Sequence, residues 1–444
     1  MKIPPVKGTR DFYPPDMAVR NLIIDGWKKV SLRNGFEEYD GPIFEYLKMF
    51  QIKSGDEIVE QLFSLQDRGG RELALRPEIT PTLARMVNQK ISSLPKPIKW
   101  FSVPRLFRAE RPQKGRLREF FQWNVDIIGE DDVLADAEVI FCACDYLQEI
   151  GLMPDDVVIK ISSRKMLAAV LKSVGIPEER LDLLYVVLDK KNKLPSETFK
   201  QILNEQLSDS KIVDKIQAFM ELKKVSDVES MFGRRGEVKE SIDELAELVD
   251  WLGRMGVEGY CEFDPGIVRG LAYYTGIVYE IYDRASGLRA IGGGGRYDNL
   301  LRDFGGPDIP ATGFGIGDCV LAILLEEKGL LEKNLPKSVL DYFVIPVRNI
   351  TFDDEKGIVK STPEGETVKL TTKLRRLGFK ADFSYKGTSL GKQLKEASSR
   401  NARKCIIIGE EFKNSELVVK DMASGEQQLI KVDKFFAKLK SEMK

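Results

Sequence analysis

The sequence predicts an α/β fold of the α+β type: a mixed core interrupted by a helical insertion and followed by a small α/β module. Helix-like and strand-like patterns alternate over residues 1–163 and again over 257–330, which predicts one core in two parts. Between them, over 164–256, apolar residues recur at helical spacing with few strand signals. Over 338–444, strands alternate with helices, which is typical of a separate sheet covered by helices.

The composition narrows the class of protein. With 68 basic and 69 acidic side chains the chain has a net charge of -1, so a nucleic-acid partner must be bound by local basic patches. The five cysteines are odd in number and scattered, which predicts reduced thiols and a cytoplasmic location. No stretch approaches the length of a membrane helix, so we expect no membrane partner.

The chain contains no histidine. Imidazole is the commonest general base and metal ligand near neutral pH, so its absence excludes Ser-His-Asp triads and two-histidine metal sites. We therefore expect a mechanism without a histidine base and without a metal held by a cage of protein ligands.

The elements of the core follow in order. An amphipathic helix is predicted over 17–33, a hairpin-like strand pair over 99–129 and a strand over 157–162. Strand-like sequence returns at 264–282 and at 311–317, after the helical insertion. Because these segments are short and separated by turn residues, they predict a sheet with helices packed on it.

The last module has its own signals. Residues 339–347 read as a buried strand, Gly378 ends a predicted helix, and Ser389 is placed to cap a second one. The runs CIIIGEE and ELVVKD predict two further strands. Five basic side chains lie on the polar faces, and taken alone they are explained better by an ordinary solvated surface than by a nucleic-acid contact: Lys386, Lys392, Lys395, Arg400 and Arg403.

Segment 107–129 is the most informative. Five basic residues surround a turn signal, PQKG: Arg108, Arg111, Lys114, Arg116 and Arg118. Arginine forks match phosphate oxygens bidentately, so this loop predicts a site for a phosphorylated ligand. Beyond the turn, alternation predicts that one face of a strand carries Phe120, Gln122, Asn124 and Asp126, either as a ligand surface or as the solvated side of a sheet.

Each of three further segments has both a structural and a functional interpretation. Thr80 before Pro81 predicts a helix N-cap, and Glu78 could serve either the helix dipole or a cationic ligand group. Arg269 lies in a strand-like apolar run, where a buried guanidinium needs an anion, either an internal carboxylate or a substrate phosphate. Tyr273 and Tyr274 are core aromatics or ligand-orienting hydroxyls.

Glycine is concentrated in two places. Four consecutive glycines at 292–295 predict close approach of the backbone to a ligand, since one or two would suffice for a turn. The run ATGFGIGDCVLAIL at 311–324 predicts a strand turning into a helix, whose N-terminus could hold an anion. Neither is a Walker A loop or a dinucleotide-binding fingerprint.

In this order the segments resemble the histidyl-tRNA synthetase family of class II aminoacyl-tRNA synthetases. KGTRDFYP resembles the family's opening, GFEEYDGPIFE resembles motif 1, and FRAERPQKGRLREFFQ resembles motif 2. RGLAYYTG and GGGGRYD are similar to the two histidine-specific signatures, and GFGIGD occupies the place of motif 3. The resemblance covers nearly the whole chain. It implies a class II catalytic core with an antiparallel sheet and a C-terminal anticodon-binding domain over 338–444.

The resemblance implies an activity and a set of site residues. ATP would activate L-histidine, and the product would be transferred to tRNA(His), with Mg²⁺ as cofactor and a homodimer formed through motif 1 around Pro42. Arg108 and Arg269 would be catalytic. The implied histidine-binding residues are Glu78, Ile79, Thr80, Gln122, Asp126, Arg269, Tyr273, Tyr274, Gly293, Gly295 and Tyr297. The implied ATP-binding residues are Arg108, Glu110 and Arg116.

Departures from the family pattern keep an alternative open. Motif 3 usually supplies an arginine to the ATP tail, but Val320 stands at that position, which leaves Arg289 and Arg296 as candidates to replace it. A catalytically silent paralogue, such as a regulatory subunit of ATP phosphoribosyltransferase, is therefore the second hypothesis. The complete α/β module after residue 338 and the presence of Arg108 and Arg269 favour the enzyme.

Overall fold

The protein is described from a computed structural model. It describes residues 3–52, 61–191, 194–207, 209–268, 274–285, 287–335, 339–348, 350, 352–353 and 360–442. The chain divides into two compact units, residues 1–335 and 336–444. Within the described ranges, no helix is both long enough and apolar enough to span a membrane.

The strands of the first unit are β1 Glu37–Glu38, β2 Phe44–Tyr46, β3 Ser64–Gln66, β4 Glu72–Leu75, β5 Ile98–Ser102, β6 Arg105–Phe107, β7 Glu119–Ile128, β8 Val157–Ser163, β9 Cys261–Phe263, β10 Ile277–Asp283, β11 Gly292–Arg296 and β12 Ala311–Gly317. Its helices are α1 Pro14–Arg33, α2 Leu47–Gln51, α3 Thr80–Lys90, α4 Val133–Ile150, α5 Arg164–Ser173, α6 Leu181–Leu188, α7 Ser196–Gln206, α8 Ser210–Met220, α9 Val225–Phe232, α10 Gly236–Arg254, α11 Leu300–Asp303, α12 Asp318–Glu327 and α13 Leu330–Asn334.

The second unit contains strands β13 Leu340–Pro346, β14 Phe352–Asp353, β15 Lys360–Ser361, β16 Ala381–Phe383, β17 Ala402–Ile408, β18 Glu416–Asp421 and β19 Gln427–Lys431, and helices α14 Pro363–Arg376, α15 Leu390–Ser399 and α16 Val432–Glu442. Its sheet has the order β16-β13-β17-β18-β19, with β13 parallel to both neighbours. The strands and helices predicted for this unit are present. The prediction missed β14, β15, β19 and α16.

A mostly antiparallel sheet forms the centre of the first unit. Its order is β1-β5-β7-β12-β11-β10-β8-β9, with β6 added beside β7. One face of β7 and the helices α1 and α4 bury a large core, in which Trp27 stacks on Trp123 with ring centroids 6.0 Å apart. The mixed fold and the antiparallel core predicted from the sequence are confirmed.

Two local predictions need correction. Helix α3 begins at Thr80 itself, so Ile79 is the residue before the helix and Thr80 makes no side-chain cap. The predicted strand at 264–282 is a strand only from Ile277 to Asp283. Residues 264–268 instead form a turn in which Asp264 accepts the Gly266 N–H at 2.9 Å. Between these two stretches, residues 269–273 lie outside the described residues.

Candidate active site

A cavity of about 410 Å³ lies on the open face of the central strands of the first unit. Strands β7, β10, β11 and β12 form its floor, the loop 108–118 borders it, and residues just before and at the start of α3 add to its wall. Its lining includes Glu78, Thr80, Arg108, Glu110, Arg116, Gln122, Asp126, Tyr274, Gly293 and Tyr297, all of which the sequence singled out.

Strand β7 supplies the polar floor of the cavity. Phe120, Gln122, Asn124 and Asp126 all line it. The intervening residues Trp123, Val125 and Ile127 are almost fully buried in the core. Successive side chains on a strand point to opposite faces, so the alternation in the sequence does separate the ligand-facing side chains from the core side chains.

One end of the cavity, which we call the acidic end, is defined by Asp126 and Tyr297. The Tyr297 hydroxyl donates a hydrogen bond to Asp126 Oδ1, and the carboxyl group is 4% exposed. Burial raises the pKa of Asp126 to about 7, and the hydrogen bond from Tyr297 opposes that shift. The carboxyl group therefore changes charge near neutral pH.

A glycine makes room for this carboxyl group. A Cβ atom at Gly313 on the neighbouring strand would lie 2.2 Å from Asp126 Oδ1. Tyr274 lies close by, because a Cβ at Gly295 would be 3.0 Å from its ring. Both Tyr274 and Tyr297 are largely buried, and both line the cavity. The acidic end thus combines a buried carboxyl group with two largely buried tyrosines.

The other end, which we call the basic end, is defined by Arg108, Glu110, Arg116 and Phe120. Arg108 donates from Nε to the Pro77 carbonyl at 3.1 Å, and its guanidinium carbon lies 5.1 Å from the centre of the Phe120 ring. Arg116 and Glu110 form an ion pair. Phe120 and Asp126 are six positions apart along β7, which places the two ends about 20 Å apart.

The loop that carries these arginines is held by backbone contacts. Gln113 and Arg116 exchange two main-chain hydrogen bonds of 2.9 Å, and Gly115 between them has a φ of +74°, which favours glycine. The Arg118 N–H donates to the Gly8 carbonyl at 2.8 Å, so the N-terminal segment KGTR packs on the loop. The turn within the loop and the contact with the N-terminal segment together hold the basic end in place.

The start of helix α12 serves a different purpose from the one predicted. Asp318, in its first turn, accepts the Phe121 N–H at 2.9 Å and pairs with Arg10 at 2.6 Å. The helix N-terminus predicted to hold an anion therefore carries the chain's own carboxylate. Val320, which stands where the family has an arginine, packs against the basic loop, since a Cβ at Gly115 would be 2.9 Å from Val320 Cγ2.

The four-glycine run is explained by neighbouring strands more than by a ligand. It forms β11, which pairs with β10 and β12. A Cβ at Gly292 or Gly294 would approach the carbonyl oxygens of Gly315 and Gly313 to 2.6 and 2.2 Å. Gly293 lines the cavity, as the sequence prediction requires, whereas Gly295 is not among the lining residues.

Of the two arginines proposed to replace the motif 3 arginine, only one reaches the cavity. The Arg296 side chain is 3% exposed and binds Asp136, with Nε and Nη2 at 2.9 and 2.5 Å from Oδ2. It also donates to the carbonyls of Glu130 and Asp132. Arg289, in contrast, lines the cavity. The suggestion that Arg296 replaces the motif 3 arginine is therefore wrong.

Some predicted residues cannot be placed and others were missed. Arg269 and Tyr273 lie outside the described residues. The Ile79 side chain is fully buried in the core and does not line the cavity. Four further lining residues, which come from distant loops, strands and the helical insertion, carried no signal in the sequence: Gln61, Asp189, Glu280 and Cys319.

Comparisons with known proteins place the whole chain beside one family. The family model for histidyl-tRNA synthetase matches residues 8–317, and that for an anticodon-binding domain matches residues 342–442. The histidine–tRNA ligase of Opitutus terrae is 40% identical over 90% of both chains. That of Pyrococcus horikoshii is 38% identical over 99% of both chains.

Solved structures agree. The histidyl-tRNA synthetase of Nostoc superposes with a TM-score of 0.82 over all of both chains at 24% identity, which concerns the fold alone. That of S. aureus gives a TM-score of 0.71 at 26% identity, also over all of both chains. A Bacillus halodurans protein described as an ATP phosphoribosyltransferase regulatory subunit/histidyl-tRNA synthetase gives 0.72 at 25% identity, over 92% of this chain and 98% of its own.

Proposed function

The chain belongs to the histidyl-tRNA synthetase family and is a histidine–tRNA ligase; we propose that its cavity binds histidine at the acidic end and ATP at the basic end. The observation that carries this assignment is the arrangement of one continuous cavity, with a buried carboxyl group at one end and arginines at the other. A histidine side chain offers ring N–H groups to a carboxylate, and ATP offers phosphate oxygens to guanidinium groups.

The reaction needs positioning and charge stabilisation. A carboxylate oxygen of histidine attacks the α-phosphorus of ATP and pyrophosphate leaves. A hydroxyl of the terminal ribose of tRNA then attacks the acyl carbon of the histidyl-adenylate, the acyl–phosphate bond breaks, and AMP and the hydroxyl proton are released. Negative charge builds on the α-phosphate oxygens during the first step, so preorganised arginines lower its barrier. No side-chain nucleophile or imidazole base takes part, which agrees with a chain that has no histidine.

At the acidic end, we assign the imidazole ring to Asp126, Tyr274, Tyr297 and Gln122. Asp126 would accept a ring N–H, and the hydroxyl of Tyr297 keeps that carboxyl group oriented. We assign the α-amino group to Glu78 and Thr80, which line the cavity; Ile79 offers only its main chain. The roles of Arg269 and Tyr273, on the α-phosphate and the imidazole ring, rest on the family resemblance.

At the basic end, we assign the phosphates to Arg108, with Arg116 and Glu110 close to the adenosine. The Arg108 guanidinium lies over the Phe120 ring, which limits the freedom of the side chain. We propose that Arg289 takes the place of the motif 3 arginine at the far phosphates, because it lines the cavity and Val320 cannot donate.

The cavity suits Mg²⁺ that arrives with ATP. Among the described residues there is no cluster of three metal-ligating acids or thiols. Mg²⁺ is commonly held by one or two carboxylates together with substrate phosphates, and Glu280, which lines the cavity, is the carboxylate we assign to it. When bound, the ion would neutralise charge on the phosphates.

The second unit and the motif 1 region supply the larger contacts. We assign tRNA binding to the basic residues of the second unit, where Lys386, Lys392 and Lys395 are exposed and Tyr385, the residue before Lys386, is 82% exposed. A second copy of the chain would cover the three-stranded sheet β2-β4-β3, which exposes Phe44, Tyr46 and Leu65. Burying such side chains stabilises association.

A cytoplasmic location fits cysteines that are all free.

Pyrophosphate exchange tests the proposed function. The full-length chain is incubated with ATP, labelled pyrophosphate and each of the twenty amino acids in turn, and then with tRNA(His). We expect exchange with histidine at least a hundredfold above every other amino acid, followed by charging of tRNA(His). Histidine binding without exchange is the result expected of a regulatory paralogue, and it would overturn the assignment of the basic end to ATP.

A further inference from the structure

Arg164 connects three parts of the first unit that meet near the acidic end. It is the first residue of α5, directly after β8, and its main-chain N–H donates to the Gly276 carbonyl at 2.9 Å. Its guanidinium donates from Nε to the Val268 carbonyl at 3.2 Å and from Nη1 to the Tyr274 carbonyl at 3.4 Å. One side chain thus holds two carbonyls that are six residues apart in the sequence.

The same guanidinium also contacts the helical insertion. Its central carbon lies 4.7 Å from the centre of the Tyr185 ring on α6. Asp189, the residue that follows α6, lines the cavity. Arg164 itself is 9% exposed, and burial lowers its pKa. Burying a cation costs free energy, so a buried arginine is kept at a position only where its contacts offset that cost or serve the function of the protein.

We propose that Arg164 is a positioning residue for histidine activation. It fixes the carbonyl of Tyr274, and so the ring of Tyr274 at the acidic end, while its contact with Tyr185 ties that arrangement to the helix that brings Asp189 to the cavity. The inference rests on the proposed function of the cavity, because it takes the acidic end to be the histidine site. Arg164 itself does not line the cavity.

The chemistry requires arginine at this position. A guanidinium is a planar fork that can donate to two separate carbonyls while its face stacks on an aromatic ring. A lysine ammonium keeps the charge but is a point donor without a flat face. Arg164→Lys should therefore leave the cation in place and loosen the geometry that the fork imposes, which separates positioning from simple charge.

Kinetics of histidine-dependent pyrophosphate exchange on the full-length chain test the proposal. We expect Arg164→Lys to raise KM for histidine tenfold or more and to leave KM for ATP within twofold, because the basic end is untouched. Arg180→Lys is the matched control: Arg180 is a partly buried arginine of the insertion that donates to the Gln206 carbonyl at 2.6 Å, away from the cavity. Its KM for histidine should stay at the wild-type value.

Two more variants separate a positioning role from a structural one. Tyr185→Phe keeps the aromatic face and should have the wild-type KM for histidine, whereas Tyr185→Leu should raise that KM about threefold. Both variants retain Arg164, so they test the proposal even if Arg164→Lys does not fold. Hydrogen exchange of peptides covering 274–283 should accelerate in Arg164→Lys and stay unchanged in Arg180→Lys.

Two results would overturn the proposal. One is a KM for histidine in Arg164→Lys within twofold of wild type. The other is a parallel rise in KM for both substrates with unchanged hydrogen exchange at 274–283. Failure of the proposed function looks different, since the wild-type chain would then show no histidine-dependent exchange. In that case the hydrogen-exchange comparison alone still decides whether Arg164 holds this segment.

Discussion

At the acidic end of the cavity, Asp126 is 4% exposed and its hydrogen-bond donor is the neutral hydroxyl of Tyr297. At the basic end, Glu110 and Arg116 neutralise one another, and the Arg116 side chain is 27% exposed. Burial raises the pKa of the Asp126 carboxyl group to about 7, whereas the Glu110 carboxylate at the other end, on a side chain that is 9% exposed, is paired directly with Arg116. The same cavity therefore holds one charge that can be switched and several that are permanent.

This difference suits two substrates of different kinds. A buried carboxyl group with few neighbours discriminates strongly, because any ligand that fails to satisfy it leaves an uncompensated polar group. An open site with permanent cations binds a polyphosphate strongly but with less discrimination. The comparison predicts that mutations at the acidic end change the preference for the amino acid, and that mutations at the basic end change the rate of adenylate formation.

The largest effect is expected from Arg108→Ala. Removing one preorganised donor to a charge that develops in the transition state costs about 10² to 10³ in rate. We expect the loss in kcat for adenylate formation in single-turnover experiments, with KM for histidine changed less than threefold. Arg111→Ala, at an exposed position of the same loop, is the control and should behave as wild type. A wild-type kcat in Arg108→Ala would show that Arg108 at the basic end takes no part in adenylate formation.

Asp126→Asn is expected to have the next largest effect. A hydrogen bond to a charged group contributes about 1.5–3 kcal/mol, so losing the carboxylate should raise KM for histidine about 10- to 100-fold at pH 8. KM for ATP should stay constant because the basic end lies about 20 Å away along β7. Asp131→Asn, an exposed acid nearby with the same charge change, serves as the control. Equal changes in the KM values for histidine and for ATP would contradict the assignment of the two substrates to separate ends of the cavity.

Arg289→Ala tests the replacement of the motif 3 arginine. Arg289 is exposed, so we expect a modest rise in KM for ATP of about 3- to 10-fold. Arg296→Met is its counterpart: it breaks the buried pair with Asp136, which should cost about 3–5 kcal/mol of stability while activity per folded molecule is unchanged. Chemical denaturation and active-site titration together separate these outcomes. A loss of activity in Arg296→Met but not in Arg289→Ala would instead support Arg296 as the replacement for the motif 3 arginine.

A further prediction concerns the pH dependence of the free energy of unfolding. The pKa of Asp126 is raised to about 7 in the folded chain, above its unfolded value of about 3.9, so the folded state holds a proton that the unfolded state has lost. That contribution is complete below about pH 4 and is lost as pH rises through 7. Asp126→Asn should therefore gain stability over wild type at pH 8, by up to about 4 kcal/mol, and lose most of that advantage at pH 4. Urea denaturation at both pH values measures it, and an advantage independent of pH would contradict it.

A structural feature could be predicted from the sequence when the residues that determine it are neighbours in the chain. The polar face of β7 was predictable because alternation along a strand needs no knowledge of other strands. The packing role of Gly292 and Gly294 in β11 was missed because the backbone atoms that exclude a Cβ at these two positions belong to β12. Arg296 was assigned wrongly for a similar reason: its partner Asp136 is 160 residues away in the sequence.

The same limit explains which site residues were missed. Asp189 belongs to the end of an insertion helix, where it has no motif around it, and it reaches the cavity only through the tertiary fold. Arg164 starts a helix and looks like an ordinary surface cation in the sequence, yet its contacts are with residues 268 and 274. Contacts between distant segments, rather than residue types, decide such positions.

The most direct test of the acidic end as the histidine site is the pH dependence of kcat/KM for histidine in wild type and Asp126→Asn. The ratio of the two profiles cancels the titration of free histidine, since both proteins meet the same ligand. We predict that the wild-type advantage rises about tenfold per pH unit below pH 7 and levels off above it, as the Asp126 carboxyl group ionises. A ratio that stays constant from pH 5.5 to 8.5 would contradict the assignment.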